Sequence, residues 1–316
     1  MSVARKLESD TTDAAALLAA LKPRAKSLIV TVYGDAILPH GGEAWLGDLI
    51  RLMECFGISE RLVRTSVFRL TQDGVLAARQ VGRRSIYALT PGGRRAFDAA
   101  QRKIYAPLTE RRDPDENAPW TIALLGGSVD AEQRDALHRE LGWAGFGMLG
   151  TQALIGTGSD LQRAKDSLTT LGLEDRVTLF EATANSAAGT LRALCHEAWH
   201  LDATDQDYRA FIRRFTPLRD RLLAPSEKPA PKEAFTLRIL MIHAYRRALL
   251  RDPGLPTPLM PDNWSGRTAR QLAAEIYDNL QYNAQDFVET GLHGTDGPLP
   301  PSAPQFSARF LRLIPD

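Results

Sequence analysis

The sequence predicts an α+β protein in three segments, and three observations carry that expectation. Two proline-rich polar joints, Ala106 to Pro119 and Ala224 to Pro231, divide the chain. The first segment shows three helical periodicities and then a hairpin, while the second alternates strand and helix patterns. The third is dominated by helical spacing. At 316 residues the chain is too long for one small module, and 44% hydrophobic with 24% charged residues is the composition of an ordinary globular protein. Collagen-like, disordered and mucin-like classes are thereby excluded. No apolar run approaches the roughly 18 residues of a membrane span. Ala14 to Leu21 follows Glu8, Asp10 and Asp13 and runs into Lys22, so it is expected to be a helical N-terminus and not a signal peptide. Cys55 and Cys195 cannot build a disulfide framework and suit a reducing compartment, so a cytoplasmic protein without a membrane partner is expected.

The net charge of +1 hides an asymmetry. Residues 1–103 hold 16 Lys+Arg against 10 Asp+Glu, and residues 104–316 hold 23 against 28. A basic end joined to an acidic remainder is what a chain meeting a polyanion at one end would carry.

In chain order, Leu28, Ile29, Val32, Ala36 and Ile37 predict a helix between Arg24 and Leu38, stopped by Pro39-His40-Gly41-Gly42. Trp45, Leu46, Leu49, Ile50, Leu52 and Met53 predict a second, ending near Gly57. A third is expected from an N-cap at Ser59 to about Gln72, with Leu62, Val63, Val67 and Leu70 on its apolar face and Asp73-Gly74 as its stop. Val75 to Arg79 and Ser85 to Leu89 then flank a basic turn, Gln80 to Arg84, as a hairpin. Helix, helix, helix, hairpin over about 65 residues is a winged helix-turn-helix, whose third helix enters the DNA major groove. Arginine reaches guanine bidentately, and arginine, serine and threonine grip phosphates. The expected contacts to double-stranded DNA are therefore Ser59, Arg61, Arg64, Thr65, Ser66 and Arg69 from the helix, with Arg83 and Arg84 from the hairpin.

Past the first joint, Trp120 to Leu125 reads as a strand, Ala131 to Leu141 as a helix and Gly145 to Leu154 as extended chain. Leu161 to Leu171 is a helix and Val177 to Glu181 a strand, an order that predicts a ferredoxin-like middle domain. A nuclease-like role for that domain would rest on Asp130 alone. Gly156-Thr157-Gly158 lacks the third glycine of a dinucleotide loop and is expected to be a turn.

His196-Glu197-Ala198-Trp199-His200 satisfies H-E-x-x-H on a stretch that reads as helical from Thr190 to Leu201. On one helix face two histidines at i and i+4 ligate zinc, with the glutamate as general base. A metal-dependent hydrolase is therefore the alternative function. No G-x-x-H follows, and Asp220, Glu227 or Glu233 would have to complete the site. Coincidence is preferred, so neither a metal nor an enzyme is expected. Ala234 to Arg251 places Leu237, Leu240, Met241, Ala244 and Ala248 on a buried stripe, and Gly297 to Pro304 separates a short tail.

The run from Gly34 to Phe97, with its V-R-x-x-V-x-R-L-x-x-D-G helix end and G-R-R-S-x-Y-x-L-T-x-x-G hairpin, resembles the PaaX family of phenylacetate-catabolism repressors. So do Trp199, Leu201, Tyr208, Phe211 and Pro217-Leu218, and the run from Ile242 to Gly266 with its R-D-P-x-L-P and P-x-x-W-x-G signatures. Ala248-Leu249-Leu250 departs from the family in being aliphatic where an aromatic is expected. The resemblance implies a cytoplasmic homodimeric repressor, released from its operator by an aryl-coenzyme A thioester such as phenylacetyl-coenzyme A. It also implies a winged helix in residues 24–105, a ferredoxin-like domain in 118–185 and a mostly helical effector-binding and dimerisation region in 186–296. The thioester phosphates need cations, which Arg246, Arg247 and Arg251 could supply. His243, Tyr245 and Trp264 complete the expected effector site, although for Trp264, followed by Gly266, packing is the preferred reading.

Overall fold

The computed structural model describes residues 13–106, 118–127, 129–157, 161–185, 187–225, 228–294, 297–306 and 309–310. It is a mixed α+β chain, mostly helical, with two small antiparallel sheets. It divides into two compact units, and the first combines residues 1–111, 209–247 and 267–316.

In the first unit, α1 (Ala14–Leu21) is capped by the Asp13 carboxylate, and α2 (Ala25–Val32) continues through a π-helical turn (Tyr33–Ile37) and a 3-10 turn (Leu38–His40). The apolar period from 28 to 37 is thus helical as expected, but no sequence signal marked the π turn. Gly41 and Gly42, at φ +107° and +84°, reverse the chain into β1 (Glu43–Trp45). Helices α3 (Leu46–Glu54) and α4 (Glu60–Gln72) follow, then the hairpin of β2 (Leu76–Val81) and β3 (Arg84–Leu89). The sheet order is β1-β3-β2, all antiparallel, with Ala44 opposite Tyr87 and Val81 opposite Arg84. Helix α5 (Pro91–Ile104) starts with Pro91 at its first position and Thr90 capping Gly93 N. Gly93 is required there: a Cβ would lie 2.4 Å from the Val75 carbonyl oxygen. Leu28, Ile29, Val32, Leu49, Met53, Val63, Val67, Leu70, Leu76 and Ile86 are buried, and this apolar packing seats α4.

Three long helices complete the chain: α9 (Leu201–Leu223), α10 (Pro231–Leu249) and α11 (Gly266–Gly291). Residues 234–243 of α10 are buried all round, so its core is wider than the stripe expected from Leu237, Leu240 and Met241, while Ala244 is only partly buried.

The second unit comprises residues 112–208 and 248–266. It runs β4 (Trp120–Leu125), α6 (Ala131–Ala144), β5 (Gly147–Leu149), β6 (Ala153–Gly156), α7 (Leu161–Leu171), β7 (Val177–Ala182) and α8 (Ala188–Ala198). Its sheet order is β5-β6-β4-β7, again antiparallel. The extended run expected between Gly145 and Leu154 is a hairpin of two strands, turned at Gly150 with φ +67°. Leu137 and Leu141 of α6 and Ala164 and Leu168 of α7 close one sheet face over Ala123 and Leu125. Cys195, Ala198, Trp199, Leu255, Leu259 and Met260 pack with Trp120 and Ile155 on the other. Gly156 ends β6, and Gly158 lies outside the described residues. Among the described residues no helix is long and apolar enough to cross a membrane.

Candidate nucleic-acid interface and effector segment

Helix α4 begins at Ser59, which has the extended backbone of an N-cap but contributes no side-chain cap; its carbonyl accepts the amides of Leu62 and Val63. Val63, Ser66, Val67 and Leu70 turn inward, and Arg61, Arg64, Thr65, Phe68, Arg69 and Gln72 turn outward. Two expectations are corrected. Leu62 is 47% exposed and Ser66 only 4%, because the helical repeat centred on Val63 and Val67 takes position 66 into the core and puts 62 outside it. The Ser66 hydroxyl therefore cannot face a phosphate, while Ser59 is exposed at the helix N-terminus.

Arg64 holds Glu60 through Nε at 2.8 Å and Nη2 at 2.7 Å. An exposed i,i+4 pair of this kind contributes about 0.3–0.5 kcal/mol, so a phosphate can take Arg64 at little cost. Thr65 Oγ1 donates to the Arg61 carbonyl. The hairpin separates its two arginines. Arg83 lies exposed in the turn beside Gly82 (φ +61°), whereas Arg84 opens β3 with its guanidinium 4.0 Å over the Trp45 ring. Arg79 of β2 pairs with Glu43 of β1.

The six expected effector residues divide between the units: His243, Tyr245, Arg246 and Arg247 belong to the first, Arg251 and Trp264 to the second. His243 Nδ1 and Thr31 Oγ1 are 2.9 Å apart, and Arg246 Nη1 donates to the same hydroxyl at 3.2 Å. Burial, then the charges of Arg246 and Arg247, lower the His243 pKa to about 4, so the imidazole is neutral. Tyr245 is fully buried, with its ring against Phe211. Arg246 is half-buried and Arg247 exposed. In the second unit, Arg251 donates to Asp207 at 2.9 Å, and Trp264 stands edge-on to Tyr208, whose hydroxyl donates to buried Asp252. Trp264 thus serves packing, and Asp252 also accepts Gly254 N, which accounts for the R-D-P-G stop.

The H-E-x-x-H stretch does not form one helix face. Helix α8 ends at Ala198, and His200 sits at φ +48° before α9 starts. Trp199 enforces the break by donating Nε1 to the Gly145 carbonyl at 2.8 Å and lying where a Cβ on Gly147 would be 2.7 Å from its ring. His196 instead approaches Asp202 at 3.1 Å. Asp220 and Glu233 pair with Arg219 and Arg221, Glu227 lies outside the described residues, and those described hold no group of three metal-ligating side chains.

Sequence reasoning missed a buried charge cluster in the first unit. Asp35, in the π turn, meets Arg238 of α10 at 2.8 Å and Arg309 at 3.5 Å, and accepts the Tyr105 hydroxyl at 2.7 Å. The Gly34 carbonyl, whose i+5 residue Pro39 has no N–H to donate, accepts both Gln101 and Arg309. Arg309 also donates to the Asp35 carbonyl, the Tyr277 hydroxyl and Gln101. Burial, then the Asp35 charge, push the Tyr105 phenol well above its usual range. The available signal was a lone carboxylate and a lone arginine, each inside an otherwise apolar helical run.

Comparison with known proteins gives matches along most of the chain. Residues 24–93 match the PaaX-like protein family, residues 128–193 the PaaX protein central Cas2-like domain, and residues 199–290 the PaaX-like protein C-terminal domain. The chain is 37% identical over 286 residues to the transcriptional repressor PaaX of Escherichia coli (strain K12), covering 90% of this chain and 89% of the relative. A similar solved structure is that of the uncharacterized protein Rv0674 from Mycobacterium tuberculosis, with a TM-score of 0.46 and 21% identity over 81% of this chain and 96% of that one.

Proposed function

The chain belongs to the PaaX family, and from that premise we propose that it is a DNA-binding transcriptional repressor of a phenylacetate-type catabolic operon. The observation that carries the reading is the exposed basic side of α4 beside the hairpin turn of Arg83. The order α2, β1, α3, α4, β2, β3 supports a winged helix in residues 24–105, with α4 as the reading helix. The β-α-β-β-α-β order with strands β5-β6-β4-β7 supports a ferredoxin-like domain in 118–185. Residues 186–296 supply the helical effector and dimerisation region of a cytoplasmic homodimer. The relative is a regulator rather than an enzyme, and the hydrolase alternative loses its premise with the helix break before His200.

The effector in this reading is an aryl-coenzyme A thioester. It releases DNA only by binding the DNA-incompetent state more tightly. Helix α10 offers a route, since Arg246 and His243 hold Thr31 of α2 and α2 packs on α4. A phosphate that recruits Arg246 removes a donor from Thr31 and loosens the support of the reading helix.

Fluorescence anisotropy on duplexes enriched from a random pool tests both halves. Arg61→Ala should weaken the enriched duplex by about 1–3 kcal/mol and relax preference at one base pair. Arg83→Ala should weaken all duplexes alike and lower the salt slope by about 1. Unchanged affinity in both variants removes the DNA-binding reading. Phenylacetyl-coenzyme A should displace the protein and free phenylacetate should not, because the acid lacks phosphates. Arg247→Ala, at an exposed position, should bind DNA normally and respond poorly. Equal release by the free acid would overturn the thioester reading.

A further inference from the structure

Among the described residues of the first unit, Phe68 is the most exposed large apolar side chain after Tyr282, at 62%. It projects from α4 in the middle of the surface that binds DNA in the reading above. Arg61, Thr65, Phe68 and Gln72 recur at i, i+4, i+7 and i+11, directly opposite the buried Val63, Ser66, Val67 and Leu70. Arg64 and Arg69 flank this line on its two sides, both exposed. The only carboxylate on the helix is Glu60 in its first turn, already engaged by Arg64. Asp73, just past the end, pairs with Lys26.

An apolar ring between two cationic edges calls for an occupant with anionic walls and an apolar patch between them. The major groove of duplex DNA has that arrangement, with a phosphate chain on each side and the thymine C5-methyl on its floor. An acidic protein partner would complement the arginines but would put a carboxylate against the ring. We propose that Phe68 is a specificity-determining residue that seats its ring on the C5-methyl of a thymine in the operator. This inference rests on the DNA-binding reading and adds to it a base-discriminating contact made without a hydrogen bond.

The test uses the full chain and duplexes it enriches from a random-core pool. Each thymine of the winning duplex is replaced in turn by deoxyuridine, which deletes the methyl and keeps every hydrogen-bonding group. At one or two positions the parent protein should lose about fourfold in affinity per methyl removed. Phe68→Ala should bind the thymine duplex about tenfold more weakly and show no preference between thymine and deoxyuridine at those positions. Phe68→Leu should retain part of the preference. At so exposed a position the substitutions should leave the unfolding midpoint unchanged. The inference is overturned if deoxyuridine is tolerated at every position, if Phe68→Ala keeps the discrimination, or if Phe68→Ala changes the sedimentation coefficient of the free protein, which would make the ring a protein–protein contact. Failure to enrich any duplex would instead overturn the DNA-binding reading beneath it.

Discussion

Asp35→Asn should lower stability by about 3–5 kcal/mol, the usual cost of stripping the counter-charge from buried ions. Arg238 and Arg309 are both buried, and Asp35 is the carboxylate paired with both. Asparagine keeps the shape and can still accept the Tyr105 hydroxyl, so the loss is one of charge. Arg238→Met is the informative comparison. It leaves one carboxylate with one guanidinium and fills the space with an apolar chain, so it should cost less than about 2 kcal/mol. Urea-unfolding midpoints of the two variants decide the matter. If Arg238→Met is as damaging as Asp35→Asn, charge balance is not what the cluster supplies.

Acidification should destabilise the protein through His243. Its folded pKa of about 4 lies below the 6.5 of an unfolded histidine, so the unfolded state binds the proton first. The stability this neutral imidazole contributes is complete above pH 6.5 and is lost as the pH falls towards 4. Between pH 6.5 and 5 the loss is about 2 kcal/mol. His243→Gln retains a hydrogen-bonding group for Thr31 and does not titrate, so its stability should be about 2 kcal/mol flatter over that interval. Parallel pH profiles in the parent and the variant, measured by denaturant titration, would contradict the assignment.

Elements whose ends are marked by local chemistry were legible in the sequence. Helix α4 falls where Ser59 and Asp73-Gly74 bracket the apolar repeat, and β4 and α7 match residue for residue. The arginines of the α4 face could be read because all three lie outside its apolar period. What stayed hidden depends on distant partners. Strand β1 is three residues long and exists because β3 pairs with it. The H-E-x-x-H pattern shows its residue types but not the Trp199 contact with the 145–147 segment that ends the helix. The inward turn of Ser66 and the outward turn of Leu62 follow from helix phase rather than residue type. The expected effector residues rest on charge and resemblance, and charge alone does not distinguish the half-buried Arg246, tied to Thr31, from an open cation.

The clasp on the π turn also sets an order of events during synthesis. Asp35 leaves the ribosome early, while Arg309 follows 274 residues later. At the usual elongation rate of about 5–20 residues per second, that gap is roughly 15–55 s. Throughout it the Gly34 carbonyl lacks Arg309, and the π turn is only partly braced, by Gln101. A nascent chain therefore holds Asp35 without its second guanidinium until residue 309 has been made. Completion of the buried charge cluster is timed by Arg309.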